Sequence, residues 1–323
     1  MPENQKQPGR NDPPLVSVIM PAYNHEKYVE SAVRSVWALD YRPVELIVLD
    51  DGSSDKTLSV LQDLQTKSPV SMTVIHKQNE GICKTLNHGI ALAEGKYVTF
   101  LASDDEFVPE RQSLHVAALE SNKDAMVAGC YGQRCIMYDH GRTVLEVVKK
   151  HTRYDDQFRV VLEGKTPYHL QGSTFKLDVV KELRFDPELF FEDWDFFLRL
   201  TLKYKMLYVP GVAFRYRRVE TGMNHNVQRM AAARLDFFNK HRNHPRVHAY
   251  GVKKAKSRVD ALNAQGFFLM GQYAESRHCL LSSWRNYPFS LCENLPLMLK
   301  LIMGPSIVGK LRRSKRLLIG DAS

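Results

Sequence analysis

The chain is poor in cysteine, and its few cysteines are not spaced for a cross-linked scaffold or a zinc site. Its 323 residues include five cysteines, an odd number, and no two of them form a Cys-x-x-Cys pair. A disulfide framework and a zinc centre are therefore disfavoured, and reduced thiols in a cytosolic protein explain the cysteines.

Long apolar runs are also missing. No stretch of about 18 apolar residues occurs, so the sequence predicts no transmembrane helix. The polar segment from Met1 to Asp12 lacks the apolar centre of a secretory signal, which favours a flexible leader over residues 1–14. Hydrophobic residues make up 44% of the chain and charged residues 25%, and this ordinary globular composition excludes a fibrous or wholly disordered protein.

Three short nucleotide-binding or hydrolase motifs are absent as well. Gly-x-Gly-x-x-Gly does not follow the first predicted strand, and neither Gly-x-x-x-x-Gly-Lys-[Ser/Thr] nor Gly-x-Ser-x-Gly occurs anywhere. These absences disfavour, in turn, a nicotinamide-dependent dehydrogenase, a P-loop NTPase and an α/β-hydrolase.

Positive and negative charges are unevenly distributed along the chain. Residues 1–199 carry 23 Lys and Arg against 30 Asp and Glu, whereas residues 200–323 carry 22 against 6. The basic second part favours an anionic partner, which could be nucleic acid, anionic lipid or a phosphorylated substrate. No helix-turn-helix, RNA-recognition or zinc-finger signature accompanies the basic residues, so nucleic acid is disfavoured.

Apolar, β-branched runs alternate with helical periodicity through the first half of the chain. Strands are predicted at residues 15–20, 44–49, 72–75 and 97–101, and helices at residues 26–39, 56–66 and 81–93. Further along, the pattern predicts a hairpin (125–137 with 143–149), a helix (190–204), two short strands (207–209 and 213–216) and only helices from residue 226. The alternation predicts an α/β fold in which helices sandwich a mostly parallel sheet.

Polar residues follow three of the predicted strands, at the edge where such a sheet binds its ligands. They are the segments 21–24, 50–51 and 104–105. Asp104 and Asp105 are adjacent carboxylates that repel each other, and a divalent cation would relieve this repulsion. Taken alone, the pair is also explained by a solvated turn before a helix, and the two companion clusters favour the cation.

Five segments, in this order, resemble the motifs of family 2 glycosyltransferases over about residues 15–220. They are Val16–Asn24, Glu45–Asp55, Asn79-x-Gly81 with Asn87-x-Gly89, Phe100–Asp105 and Phe191–Asp195. The resemblance implies a GT-A fold and an inverting transfer of a sugar from a nucleoside diphosphate to an acceptor hydroxyl. The chain departs from the family at Ala102, where many members have Asp, and at Leu86, where many have Arg.

The same resemblance implies a set of site residues. Those expected to line the nucleoside pocket are Pro21, Ala22, Tyr23 and Glu26. Asp51 would hydrogen-bond the base, Asp104 would contact the ribose or the sugar, and Asp105 would bind Mn²⁺ or Mg²⁺ through the donor diphosphate. Asp193 would be the general base, and Glu192 is the second candidate, although a carboxylate at a helix start also explains it.

The organisation expected is a transferase domain at residues 15–222, a helical extension at residues 223–303 and a basic tail at residues 304–323. The extension contains positions that match a single tetratricopeptide-like hairpin, namely Ala264, Ser276, Leu280, Ser283 and Pro288. A generic helical hairpin is the alternative, because one repeat cannot bury its own apolar face.

An anionic membrane surface is a candidate partner for this extension. The positions that share one apolar helical face are Leu291, Leu295, Met298 and Ile302, and the basic tail follows them. A helix packed on the protein, with a solvated tail, is the alternative.

The resemblance implies a metal-dependent transferase, and by analogy the helical extension suggests bacterial surface polysaccharide or lipopolysaccharide synthesis. The expected donor is a nucleotide-diphosphate sugar, with a UDP-sugar favoured, and the expected acceptor is a saccharide or a lipid-linked sugar. The expected location is the cytoplasm, including the inner face of the plasma membrane. The alternative is a non-catalytic GT-A-like module whose hairpin docks a partner protein, and the joint presence of Asp51, Asp105 and Asp193 argues against it.

Overall fold

The computed structural model of the protein describes residues 12–138, 143–146, 157–190, 192–218, 226–290, 294–299 and 301–302. The chain divides into two compact units. The first comprises Met1–Asp155, Pro167–Glu188 and Asp195–Glu220, and the second comprises Asp156–Thr166, Leu189–Trp194 and Thr221–Ser323.

Strands and helices alternate along the first part of the chain, as the sequence predicts. The strands are β1 (Val16–Ala22), β2 (Val44–Asp50), β3 (Ser71–His76), β4 (Tyr97–Phe100), β5 (Glu106–Phe107), β6 (Val127–Tyr138), β7 (Thr143–Glu146), β8 (Ser173–Lys176) and β9 (Lys205–Arg218). The helices are α1 (Val29–Trp37), α2 (Thr57–Thr66), α3 (Ile82–Leu92), α4 (Arg111–Ser121), α5 (Gln157–Leu162), α6 (Leu177–Leu183), α7 (Glu192–Lys203), α8 (Val227–His241), α9 (Pro245–Tyr250), α10 (Val252–Leu269) and α11 (Tyr273–Asn286).

One mixed sheet organises the first unit, in the order β3-β2-β1-β4-β8-β6-β9-β5, and β7 pairs with β6. The first four strands are parallel to one another. Strand β8 runs antiparallel to both β4 and β6, and β6 runs parallel to β9. The predicted α/β fold is confirmed, and its parallel half is the half whose strand ends carry the polar clusters.

The buried strands explain why the apolar runs are continuous rather than alternating. The side chains from Val16 to Met20 are fully buried, because helices cover both faces of a parallel sheet. Helix α1 begins at Val29 rather than at the predicted Glu26. The backbone N–H of Glu26 donates to the Asp55 carboxylate across 3.0 Å, so this segment belongs to the strand-end loops instead.

The second half of the sheet contains two strands that the sequence did not predict, β5 and β8, and its predicted strands differ mainly in length. The predicted hairpin is present, because β6 pairs antiparallel with β7 in the register Arg134↔Glu146. The two predicted short strands merge into the single strand β9, which pairs with β6 along most of its length, across register shifts.

The second unit is helical. Helices α10 and α11 form a hairpin around Gly271, whose φ of +77° suits glycine at the turn. Ser276 is fully buried and its Oγ donates to the Ala264 carbonyl across 2.7 Å, so the small residues mark a close approach of the two helices. Within the described residues, no helix is long and apolar enough to cross a membrane.

Candidate active site

The three polar clusters meet at the carboxyl ends of β1, β2 and β4. The Asp51 N–H donates to the Ala22 carbonyl across 2.8 Å, which joins the end of β1 to the end of β2. The His25 ring Nδ1 lies 2.8 Å from Ser103 Oγ, which joins the first loop to the segment that precedes Asp104. The topology therefore brings together residues that lie about eighty positions apart in the sequence.

The first loop displays Tyr23 and holds its neighbours by hydrogen bonds. Tyr23 is 48% exposed and available to a ligand, whereas Ala22 is buried and Pro21 is half-buried. Asn24 has a left-handed φ of 54°, and its Oδ1 accepts the N–H of Ser54 across 2.8 Å. Glu26 is exposed, and its carboxylate accepts the N–H of Lys56 across 3.0 Å. Glu26 thus also ties the first loop to the segment that precedes α2.

Asp51 is a buried and well-anchored carboxylate. Its Oδ1 accepts the N–H of Glu80 and its Oδ2 accepts that of Gly81, each across 3.0 Å, and Lys77 forms an ion pair with it. Burial alone raises the pKa of Asp51, but the hydrogen bonds from Lys77 and Glu80 outweigh it, so the net shift is downward. Asp51 is therefore charged at neutral pH, and its remaining lone pairs can accept a donor from a ligand.

Close approaches of neighbouring residues explain two of the motif glycines, Gly52 and Gly89. Gly52 has a φ of +77°, and a Cβ there would lie 2.9 Å from the backbone nitrogen of Asn79. A Cβ on Gly89 would lie 2.5 Å from Ile19 Cγ2, so glycine lets α3 pack directly on β1. Asn87 bridges to the Phe185 backbone with two bonds of 2.8 Å. Asn87 and Gly89 of this motif make intramolecular contacts in the folded chain.

Asp105 follows β4 and is 1% exposed. Its Oδ1 accepts the backbone N–H of Arg217 across 2.8 Å. Its Oδ2 is buried without a hydrogen-bond partner. Burial and then the adjacent charge of Asp104 raise the pKa of Asp105 well above its usual range. Asp104 itself is half-buried.

Arg217, which the sequence analysis missed, holds the turn that carries both carboxylates. Its Nε donates to the Asp104 carbonyl and its Nη2 to the Glu106 carboxylate, each across 2.9 Å. Its guanidinium also lies 5.0 Å from the centre of the Tyr28 ring. No local signal marks this arginine, because its partners lie more than a hundred residues away on other elements.

The Asp104–Asp105 turn fits a divalent cation. A buried carboxylate oxygen without a partner is costly unless a proton or a cation reaches it. Among the described residues, no group of three or more His, Cys, Asp or Glu side chains is placed to hold a metal ion. Mg²⁺ is commonly held by one or two carboxylates, with phosphate oxygens and water in its other positions. Two adjacent carboxylates match that set of ligands.

Glu192 and Asp193 belong to the second unit and open helix α7. Both side chains are partly buried, and Asp193 Oδ1 accepts the N–H of Trp194 across 2.6 Å. Burial and then the charge of Asp193 raise the pKa of Glu192 to about 8, and burial raises that of Asp193. A carboxyl group whose pKa is raised towards the working pH is suited to proton transfer.

Leu86, which stands where many family 2 members have Arg, is buried in the first unit. Ala102 is half-buried just before the acidic turn. The arginine and the additional acid expected from the family pattern are therefore replaced by apolar side chains, and Asp104 and Asp105 supply the carboxylates of this turn.

A mixed sheet with an acidic site at the carboxyl ends of its parallel strands is the arrangement expected of a GT-A fold. The family model "Glycosyl transferase family 2" matches residues 17–184, more than half of the chain. The chain belongs to this family, as the sequence motifs predict.

Relatives support the same class. The chain is 29% identical over 185 residues to an uncharacterized glycosyltransferase of Haemophilus influenzae, covering 57% of this chain and 71% of the relative. It is 29% identical over 204 residues to the putative colanic acid biosynthesis glycosyl transferase WcaA of Escherichia coli K12, covering 59% and 67%. An uncharacterized glycosyltransferase of Rickettsia typhi is 33% identical over 146 residues, 45% of this chain and only 43% of the relative.

Solved structures share the fold at low sequence identity. The mannosyltransferase PcManGT of Pyrobaculum calidifontis, in complex with GDP-Man and Mn²⁺, aligns with a TM-score of 0.58 at 18% identity, over 96% of this chain and 82% of that one. Staphylococcus aureus TarS 1-349 with UDP-GlcNAc aligns with a TM-score of 0.51 at 19% identity, over 85% and 92%.

Proposed function

We propose that this protein is an inverting glycosyltransferase that moves a sugar from a nucleotide-diphosphate donor to an acceptor hydroxyl. The observation that carries the proposal is the meeting of three polar strand ends, joined by the Asp51–Ala22 and His25–Ser103 hydrogen bonds. A UDP-sugar is the favoured donor, and the fold neighbours with UDP-GlcNAc and with GDP-Man define the first donors to test. The transferase domain spans residues 15–222, with a helical extension at 223–303.

The donor roles follow from the chemistry of each side chain. Exposed Tyr23 offers a ring face to the base, and the charged Asp51 accepts a hydrogen bond from a base N–H. The other residues that line the nucleoside pocket are Pro21, Ala22 and Glu26. Asp104 is half-buried and accepts hydrogen bonds from the ribose or the sugar.

Asp105 would hold Mn²⁺ or Mg²⁺ together with the donor diphosphate. The unpartnered Oδ2 of Asp105 supports this role. A divalent cation bound there supplies positive charge against the negative charge that develops on the leaving diphosphate.

Asp193 is the proposed general base. It takes the proton of the acceptor hydroxyl while the acceptor oxygen bonds to the anomeric carbon, opposite the departing diphosphate oxygen. A single displacement of this kind inverts the anomeric configuration. Glu192 is the alternative base, since its pKa is also raised.

We place the reaction in bacterial surface polysaccharide or lipopolysaccharide synthesis, in the cytoplasm or at the inner face of the plasma membrane, with a saccharide or lipid-linked acceptor. The E. coli relative, which is named for colanic acid biosynthesis, supports the polysaccharide role.

The test is a screen of nucleotide sugars for donor turnover with and without Mn²⁺, followed by NMR of the product's anomeric proton. We expect one donor to be turned over only with the cation and to yield an inverted linkage. A retained anomeric configuration would contradict the single displacement. No turnover of any donor, with no nucleotide binding, would favour a non-catalytic module.

A further inference from the structure

We propose that the C-terminal helical segment docks on an anionic lipid bilayer through an apolar stripe formed by Leu295, Leu299 and Ile302. This surface is distinct from the carboxylates of the candidate active site. The three side chains recur at helical spacing on residues 294–299 and 301–302, and they are 43%, 47% and 71% exposed. An exposed aliphatic stripe of this kind is unusual on a surface with no partner.

The stripe faces outward because the opposite side of the segment packs on the second unit. Leu301 is buried against Phe268 of α10, and Leu297 packs on the same cluster. Met298 lines a small cavity with Trp284 and Leu280 of α11 instead of joining the stripe, in contrast to the sequence prediction. Leu291, the fourth position of the predicted face, lies outside the described residues.

Aromatic side chains extend the apolar surface next to this segment. Trp284 is 46% exposed, and Phe289 is 76% exposed with its ring 5.6 Å from that of Tyr287. Trp and other aromatic side chains are favoured where a bilayer's hydrocarbon meets its head groups.

The charge of this part of the chain favours an anionic bilayer over a second protein as the partner of the stripe. Residues 276–323 contain eight Lys and Arg but only two acidic residues, Glu293 and Asp321. Basic residues that neighbour an apolar stripe in the sequence complement an anionic leaflet, and they disfavour self-association of two equally basic copies. Because the stripe from Leu295 to Ile302 is only about 10 Å long, the segment lies in the interface rather than crossing it.

Vesicle flotation without any donor tests this surface separately from catalysis. Full-length protein is mixed with phosphatidylcholine vesicles, with or without phosphatidylglycerol. We expect binding to the phosphatidylglycerol vesicles only, weaker at high salt, and at least about tenfold weaker for Leu295→Glu/Leu299→Glu. Leu114→Glu on α4 is the matched control, because Leu114 is 47% exposed in the first unit, and it should bind like the wild type.

Tryptophan fluorescence gives a second readout that does not depend on a destabilising substitution. Phosphatidylglycerol vesicles should shift the wild-type emission to shorter wavelength, and Trp284→Phe should lose this shift. Equal binding to both vesicle types, no binding, or an equal loss in Leu114→Glu would overturn the proposal. A dimer that Leu295→Glu/Leu299→Glu dissociates would assign the stripe to a second copy and would also overturn it.

Discussion

The backbone N–H of Arg217, near the end of β9, donates a hydrogen bond of 2.8 Å to Oδ1 of Asp105, 112 positions earlier in the chain. The Arg217 side chain then reaches the carbonyl of Asp104 and the carboxylate of Glu106. One residue thus holds three consecutive residues of the acidic turn. Strand β9 thereby fixes the position of Asp105, which follows the parallel strand β4.

Arg217→Gln should weaken cation-dependent nucleotide binding about fivefold to tenfold. The variant keeps the backbone N–H to Asp105 but removes the bonds to Asp104 and Glu106, each worth about 1 kcal/mol. Titration of a nucleoside diphosphate with Mn²⁺ measures the effect. Arg215→Gln is the matched control, since Arg215 is more exposed and contacts Glu106 only at 3.4 Å. Equal losses in both variants would mean that general positive charge, not the turn, matters.

Asp105→Asn should stabilise the metal-free protein while abolishing its response to Mn²⁺. A carboxylate whose folded pKa is raised destabilises the fold increasingly as the pH rises above its unfolded pKa, and Asn keeps the acceptor for the Arg217 N–H without the charge. Thermal unfolding near pH 7, with EDTA and with Mn²⁺ plus nucleotide, tests both effects. Asp104→Asn is the comparison. A melting temperature that rises equally with Mn²⁺ in Asp105→Asn and wild type would remove Asp105 from the metal site.

Asp193→Asn should lower transfer at least about 10²-fold and leave donor binding unchanged. Burial raises the pKa of Asp193, and burial with the charge of Asp193 raises the pKa of Glu192 to about 8, so the wild-type rate should increase with pH as these carboxyls lose their protons. The increase of the transfer rate with pH should vanish in Asp193→Asn if Asp193 is the base. Rates of transfer for Asp193→Asn and Glu192→Gln across pH assign the role. An active Asp193→Asn beside an inactive Glu192→Gln would assign the base to Glu192.

Local sequence predicted the strands and their ends because a buried parallel strand leaves a continuous apolar run. The run around Val18 is rich in β-branched residues and too short for a buried helix, and Asp51 and Asp105 follow such strands closely. The family motifs then supplied the roles proposed for these carboxylates, which composition alone could not.

Long-range partners were not predictable in the same way. Arg111 resembles a surface residue at a helix start, yet it is 1% exposed and donates to Thr99 and to the Ser173 carbonyl. Arg217 likewise lies beside Arg215 and Arg218 in the sequence, and nothing in this local pattern marks it as the residue that holds the acidic turn. Their roles depend on which strands become neighbours in the sheet, and periodicity does not contain that information.

Glu163 of the second unit makes stability depend on pH. It is 6% exposed, and it accepts hydrogen bonds from Arg159, Lys165 and Tyr250 across 2.9, 2.7 and 2.9 Å. Burial alone raises the pKa of Glu163, but these bonds outweigh it and lower the pKa to about 2. A lowered folded pKa stabilises the fold above the unfolded pKa of about 4.3, and this stabilisation is lost as the pH falls towards 2.

Glu163→Gln should therefore destabilise helices α5 and α9, which carry Arg159 and Tyr250, at pH 7 by about 2 kcal/mol, after allowance for the exposure of Arg159 and Lys165. The difference from wild type should shrink as the pH falls below about 4, because the wild-type carboxyl becomes protonated. Hydrogen–deuterium exchange of peptides from these two helices, at several pH values, measures this loss of stability. Glu182→Gln is the control, because Glu182 pairs with Lys203 on an exposed surface. A Glu163→Gln effect that is the same at every pH would show that packing rather than charge holds this cluster.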